Sequence, residues 1–142
     1  MTKRELSKYY YLSLEIKDLE ERIIHLHETA IGSSKITGMP MVHSNESPIE
    51  KRVELIVRLS DKLKRRQKQA FEEMEKIEQY ISTIEDIEIR LIFSKRYLDF
   101  KDWVTIADEM FMSERTVQRK HSNWLKKEPT INQEVSSNKE LK

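Results

Sequence analysis

In "YYYLSLEIKDLEERIIHLHETA" the apolar residues recur in alternating steps of three and four: Tyr9, Leu12, Ile16, Leu19, Ile23, Leu26 and Ala30. Lys17, Asp18, Glu20, Glu21 and Arg22 lie between them. That spacing is a heptad seam, one helix face laid along another helix. A helix from Lys3 to Ile31 would be about 40 Å long at 1.5 Å per residue, too long to be buried all round in so small a protein. It needs a partner.

The partner follows a break. Gly32 to Pro48, "GSSKITGMPMVHSNESP", collects both glycines and two of the three prolines, so helix cannot continue through it and a hinge loop over 32–48 is expected. "SPIE" then offers Ser47 as N-cap, Pro48 at the first helical position and Glu50 as the capping-box acid. The seam that follows reads Ile49, Val53, Ile56, Ser60, Leu63, Gln67, Ala70, Met74, Ile77, Ile81 and Ile84, widened by Leu59 and Phe71. The expected first part is a long antiparallel coiled-coil helical hairpin over 1–82, whose polar Ser60 and Gln67 fix the pairing of helices.

Near "TIEDIEIRL" the narrow seam gives way to a broader apolar face: Ile84, Ile87, Leu91, Ile92, Tyr97, Leu98, Phe100, Trp103, Ile106, Ala107, Met110, Phe111, Val117, Trp124 and Leu125. That pattern implies a small three-helix core over 83–127, with helices near 84–97, 103–110 and 114–126. The tail from 128 to 142 has few apolar residues and little periodicity, and is expected to be disordered. The fold class predicted is all-α. With 36% charged residues, two Gly and no stretch of roughly 18 apolar residues, the composition favours long solvated helices and disfavours a barrel, a Gly-loop enzyme or a membrane span. The absence of Cys removes thiolate metal sites and Cys nucleophiles and fits a reducing, cytoplasmic setting.

Function is read from "WVTIADEMFMSERTVQRKHSNWL". A helix-turn-helix needs a small residue where its helices cross, a short turn, and a cap on the second helix. Ala107 is the small residue, Met110 to Met112 the turn, Ser113 the cap and Val117 the inward residue that closes the pair. The outer face then carries Glu114, Arg115, Gln118 and Arg119, long enough to reach base edges, since Arg pairs bidentately with guanine and Gln with adenine. Ser113, Thr116, Lys120 and Lys126 are the expected backbone contacts. Ser113 to Lys127 holds five cations and one anion, an excess of +4, whereas the stretch before it is acidic. Positive potential on one face is what phosphate binding requires.

These residues carry a resemblance. "RYLDFKDWVTIADEMFMSERTVQRKHSNWL" is similar to the fourth region of sigma-70-type factors, with its Arg-Tyr, Ile-Ala and Ser before Thr-Val. The whole order, including "TGMP" before "SPIEK", resembles the small phage and prophage late-gene regulators of the ArpU and RinA type. The resemblance implies an activator of packaging and structural genes in a bacterial cytoplasm. Phe111 stands where that pattern usually has Gly, so a left-handed backbone there would carry strain. Lys120 stands where sigma-like recognition helices usually bury an aliphatic residue.

A second basic run, Lys62, Lys64, Arg65, Arg66 and Lys68, is read first as a solvated helix face and second as a contact for DNA or polymerase. His25 and His27 are two apart and point to different sides of a helix, the wrong arrangement for a shared metal. His121, four residues after Val117, is expected to be partly buried. No nucleophile, paired-acid or phosphate-loop pattern appears, so neither catalysis, a cofactor nor a small-molecule substrate is expected. The "YYYL" cluster is expected to pack against helix two or a second subunit. The expected partners are double-stranded DNA, a second copy of the chain and host RNA polymerase, with no membrane. Two other readings remain open: a DNA-packaging recognition protein of small-terminase type, and a module that binds polymerase or a sigma factor.

Overall fold

The computed structural model describes the backbone over residues 1–32 and 47–139, and the side chains over 1–29 and 47–127. It has five α-helices and, among the described residues, no strand: α1 (Lys3–Gly32), α2 (Pro48–Ser82), α3 (Ile87–Tyr97), α4 (Trp103–Met110) and α5 (Glu114–Lys139). No helix among those residues is long and apolar enough to cross a membrane. Most of the hinge expected over 32–48, including "TGMP", lies outside the described residues.

The helix starts are chemically explicit. At α1 the Thr2 amide donates to Glu5 Oε2 at 2.6 Å and the Glu5 amide to Thr2 Oγ1 at 3.2 Å, a reciprocal capping box. Those bonds from Thr2 hold the Glu5 carboxyl below the usual carboxylate range. At α2 the Glu50 amide donates to Ser47 Oγ at 3.1 Å, as the sequence predicts. α3 starts at Ile87 rather than Ile84, because Asp86 Oδ1 accepts from the amides of Glu88 and Ile89 and so sets the cap there. α4 starts on Asp102, which accepts from the Thr105 amide at 2.8 Å.

α5 differs most from expectation. Its backbone is helical to Lys139, through most of the 128–142 stretch read as disordered. Low apolar content argues against burial of that segment, but extending an existing helix avoids the costly nucleation step. Residues 140–142 lie outside the described range.

The chain packs as two units, Leu12–Ala70 and a second made of Met1–Tyr11 with Phe71–Lys142. The sequence boundary at 82/83 therefore does not coincide with the division in packing: Leu6 of α1 and Ile77 and Ile81 of α2 are buried in one core with Ile84, Ile92, Phe93, Tyr97, Ile106, Ala107 and Val117. Their apolar surface leaves water there. Within this unit Lys8 Nζ meets the buried Glu73 carboxylate at 2.7 Å, and Lys76 reaches it at 3.3 Å. These bonds, Lys8 first, hold Glu73 below the usual carboxylate range. Tyr9 and Tyr10 stack on Phe100, with ring centroids at 4.9 and 5.3 Å, so this aromatic cluster covers the α3–α4 turn, and Tyr9 also packs against the core that holds Ile77 and Ile81 of α2.

In the unit Leu12–Ala70, Arg66 Nε donates to Glu15 Oε1 at 2.8 Å. Leu55 and Leu59 share a groove with Asp18, Glu21, Arg22, His25 and Leu26 of α1. The α2 seam expected here is half-buried at Ile56, Leu59, Ser60 and Leu63 but not throughout. Ile49 and Val53 are 72% and 53% exposed and Gln67 is exposed, while Leu55, Leu59 and Arg66 turn to α1. Over the first turns of α2 several apolar sets satisfy a three-four rhythm, so periodicity alone does not say which of them meets α1.

Candidate nucleic-acid interface

α4 ends on Phe111, whose backbone is left-handed at φ 55°, ψ 40°. The Met112 amide donates to Ala107 O at 3.0 Å and the Phe111 amide to Asp108 O at 3.3 Å, closing the last carbonyls of α4. The Phe111 side chain is 96% exposed and not part of the core expected for it. Two residues on, Ser113 starts α5: its Oγ accepts from the Thr116 amide at 3.2 Å, and its carbonyl accepts from the Val117 amide. Ala107 and Val117 are both buried, as a close approach of α4 and α5 requires.

At about 100° of rotation per residue, Val117, His121 and Trp124 share the inward side of α5, and Arg115, Gln118, Arg119, Ser122 and Lys126 share a face turned away from it. Arg115, Arg119 and Lys126 are exposed and Gln118 is half-buried. Gln118 Nε2 donates to Glu114 Oε1 at 3.1 Å, which holds the amide beside the two arginines. Among the described residues no hydrogen bond or ion pair engages Arg115 or Arg119. Their donors are available to a ligand.

The other expected contacts divide. The Ser113 and Thr116 hydroxyls bond to one another at 2.7 Å at the start of the helix. Lys120 sits about 140° around the helix from Arg115. Its ammonium is held by Glu88 of α3, so it anchors α5 to α3 rather than joining the arginine face. The cations of the run 62–68 are spread around α2: Arg66 is committed to Glu15 and Gln69, while Lys64, Arg65 and Lys68 are exposed.

Behind the face lies a buried histidine. His121 is 3% exposed, with its ring 4.9 Å from Trp103 and 5.0 Å from Phe93. Its Nε2 shares a hydrogen bond of 2.5 Å with the Tyr97 hydroxyl. Burial, with the nearby charges of Lys3 and Arg96, pushes the imidazole down to about 4, so it is neutral at physiological pH. Burial likewise pushes Tyr97 up to about 12. Arg96 stacks its guanidinium 4.6 Å over Trp103 and donates to Lys101 O, and the Trp124 indole donates to the Tyr80 hydroxyl at 3.0 Å. Tyr97, Trp103, Trp124 and His121 lie on the side that the sequence pattern turns inward, whereas Phe93, Tyr80 and Arg96 are not part of that pattern. The Tyr97–His121 bond joins residues 24 apart, a spacing no local period reveals.

Among the described residues no group of three or more His, Asp or Glu is placed to hold a metal ion, and His25 and His27 are both exposed. Compared with protein-family models, characterised proteins and solved structures, the chain matches none of them.

Proposed function

We propose that this protein is a sequence-specific regulator that binds double-stranded DNA by laying the start of α5 in the major groove. The observation that carries the reading is the uncommitted Arg115/Arg119 pair, flanked by a Gln118 amide held by Glu114, on the side of α5 opposite its buried residues. In this reading α4, the Phe111 turn and α5 form a helix-turn-helix. Arg115 and Arg119 pair with guanine edges, Gln118 with adenine, and Glu114 accepts from cytosine N4. Ser113 and Thr116 at the start of the helix and Lys126 two turns beyond Arg119 contact phosphates.

α1 and α2 form the antiparallel coiled hairpin in the same reading, supported by Glu15–Arg66 in one unit and Lys8–Glu73 in the other. The hairpin supplies self-association, so that two recognition helices meet two half-sites. Activation of phage or prophage late genes in a bacterial cytoplasm, with host polymerase as a further partner, rests on the sequence resemblance alone.

The test is selection from sheared DNA spanning the gene's own neighbourhood, at two salt concentrations, by wild type and by Arg115→Ala/Arg119→Ala. Recovery of one fragment by the wild type only is the expected result, and its location separates a promoter from a packaging site. If the wild type selects no fragment even at low salt, the reading is wrong and α5 is a protein-binding surface.

A further inference from the structure

The outward side of α2 in the unit Leu12–Ala70 carries an aliphatic row that no other described residue covers: Ile49, Val53 and Val57, four residues apart, are 72%, 53% and 55% exposed. Beside the row a groove is lined by Val53 and Val57 together with Glu54, Arg58, Asp61 and Arg65. Those four charges stand at steps of four, three and four, so they share one flank of the helix. None of them is in a hydrogen bond or ion pair among the described residues. The side of α2 that faces α1, with Leu55, Leu59 and Arg66, is turned away from this row.

The order of the charges along the flank, acid, base, acid, base, is its own complement when reversed. Two copies of the helix laid antiparallel, with Glu54 opposite Arg65 of the second copy, also bring Arg58 opposite Asp61. A two-fold axis between residues 59 and 60 makes each contact twice, as an isologous interface requires. The same flank of both helices lies on the same side of such an axis. In that register the row continues across it. From the rise per residue, Val53 and Val57 of one copy and Val57 and Val53 of the other follow one another at intervals of about 6 to 8 Å. Lys64 on this face falls opposite residue 55, where its stem covers the valines and its ammonium lies near Glu54. A parallel two-fold pairing would instead put this flank of the two copies on opposite sides of the axis, so that the charges would not meet.

We propose that this face of α2 is a homodimer interface, in which a second copy of the chain packs antiparallel with Glu54 facing Arg65 and Arg58 facing Asp61. The proposal specifies the self-association invoked above and does not depend on DNA binding.

The test is the dimer dissociation constant of the full chain by sedimentation equilibrium, for the wild type, Glu54→Arg, Arg65→Glu, their equimolar mixture, and both changes on one chain. Each single variant sets like charges together twice per dimer, and weakens association by roughly tenfold. Mixing the two variants restores opposite charges at both contacts, and so does combining them in one chain, so both recover wild-type association. Helix content by circular dichroism identifies a variant that fails to fold, and Val57→Asn then serves as the second probe. A monomeric wild type overturns both this interface and the self-association reading. A dimer indifferent to all these changes overturns this interface alone. Weakening without recovery in the mixture overturns the antiparallel register.

Discussion

The Tyr97 hydroxyl and His121 Nε2 lie 2.5 Å apart inside the core, joining the last turn of α3 to α5 behind its exposed arginines. Neither ring is exposed by more than 5%, and Phe93 and Trp103 close around the imidazole. The position of the Arg115 and Arg119 face therefore depends on an uncharged histidine.

Acid should loosen that core through His121 before the carboxylates protonate. The imidazole takes a proton near pH 6.5 in the unfolded chain but only near 4 in the folded one, where Lys3 and Arg96 add to the cost of burying its charge. As pH falls, the unfolded state binds the proton first. The His121 contribution to stability is thus fully present above about 6.5 and is lost down to about 4, a difference on the order of 3 kcal/mol. Urea denaturation along that interval should show the decline, and His121→Phe should flatten it. An unchanged slope in the variant would assign the decline to other groups.

At Phe111 the chain is strained without return. A left-handed residue with a Cβ costs about 1 kcal/mol, and a ring 96% exposed recovers nothing by burial. Phe111→Gly should therefore raise the midpoint of urea denaturation, by about 1 kcal/mol of stability, with Phe111→Ala close to wild type. A destabilised glycine variant would mean that the ring is covered in solution.

Phe100 has nearly the same backbone, φ 57°, and should respond in the opposite direction. Its ring is half-buried against Tyr9 and Tyr10, and that packing outweighs the strain. Phe100→Gly should cost about 2 kcal/mol even after relief of the left-handed penalty. Thermal unfolding of the two glycine variants side by side separates backbone strain from packing.

The contrast shows what the sequence could disclose. Helix existence was legible from periodicity and breakers, and the α4–α5 turn from Ala107, Ser113 and Val117, because these are local rules with fixed offsets. Which side of a helix meets which neighbour is not local. Ile49 and Val53 fit a heptad as well as Leu55 and Leu59 do, and only the partner decides. Ile87, Leu91 and Phe111 are exposed although their spacing suits a core, while Phe93 and His121 are buried. The arginine face was legible because it is defined by what does not pack. The pairing of Lys120 with Glu88 joins residues 32 apart, which no local spacing reveals.

That pairing gives a graded test of which cations meet phosphate. Each phosphate neutralised by a cation contributes about −0.9 to the slope of log K against log salt. Lys126 lies on the same side of α5 as Arg119, whereas Lys120 lies about 140° around from Arg115 and is occupied by Glu88. With the DNA fragment the wild type selects, Lys126→Ala should reduce the slope by about 0.9, and Lys120→Ala should leave it unchanged within error. Lys120→Ala should instead lower stability by less than about 1 kcal/mol, because the pair it breaks is partly exposed. Glu88→Gln frees the ammonium without removing it, so it should leave the slope near wild type if Lys120 points away from DNA. A slope steepened by about 0.9 in Glu88→Gln would show that the released lysine reaches the phosphates. Glu88 would then restrain binding, and the face of α5 that meets DNA would be wider than the arc from Gln118 to Arg119.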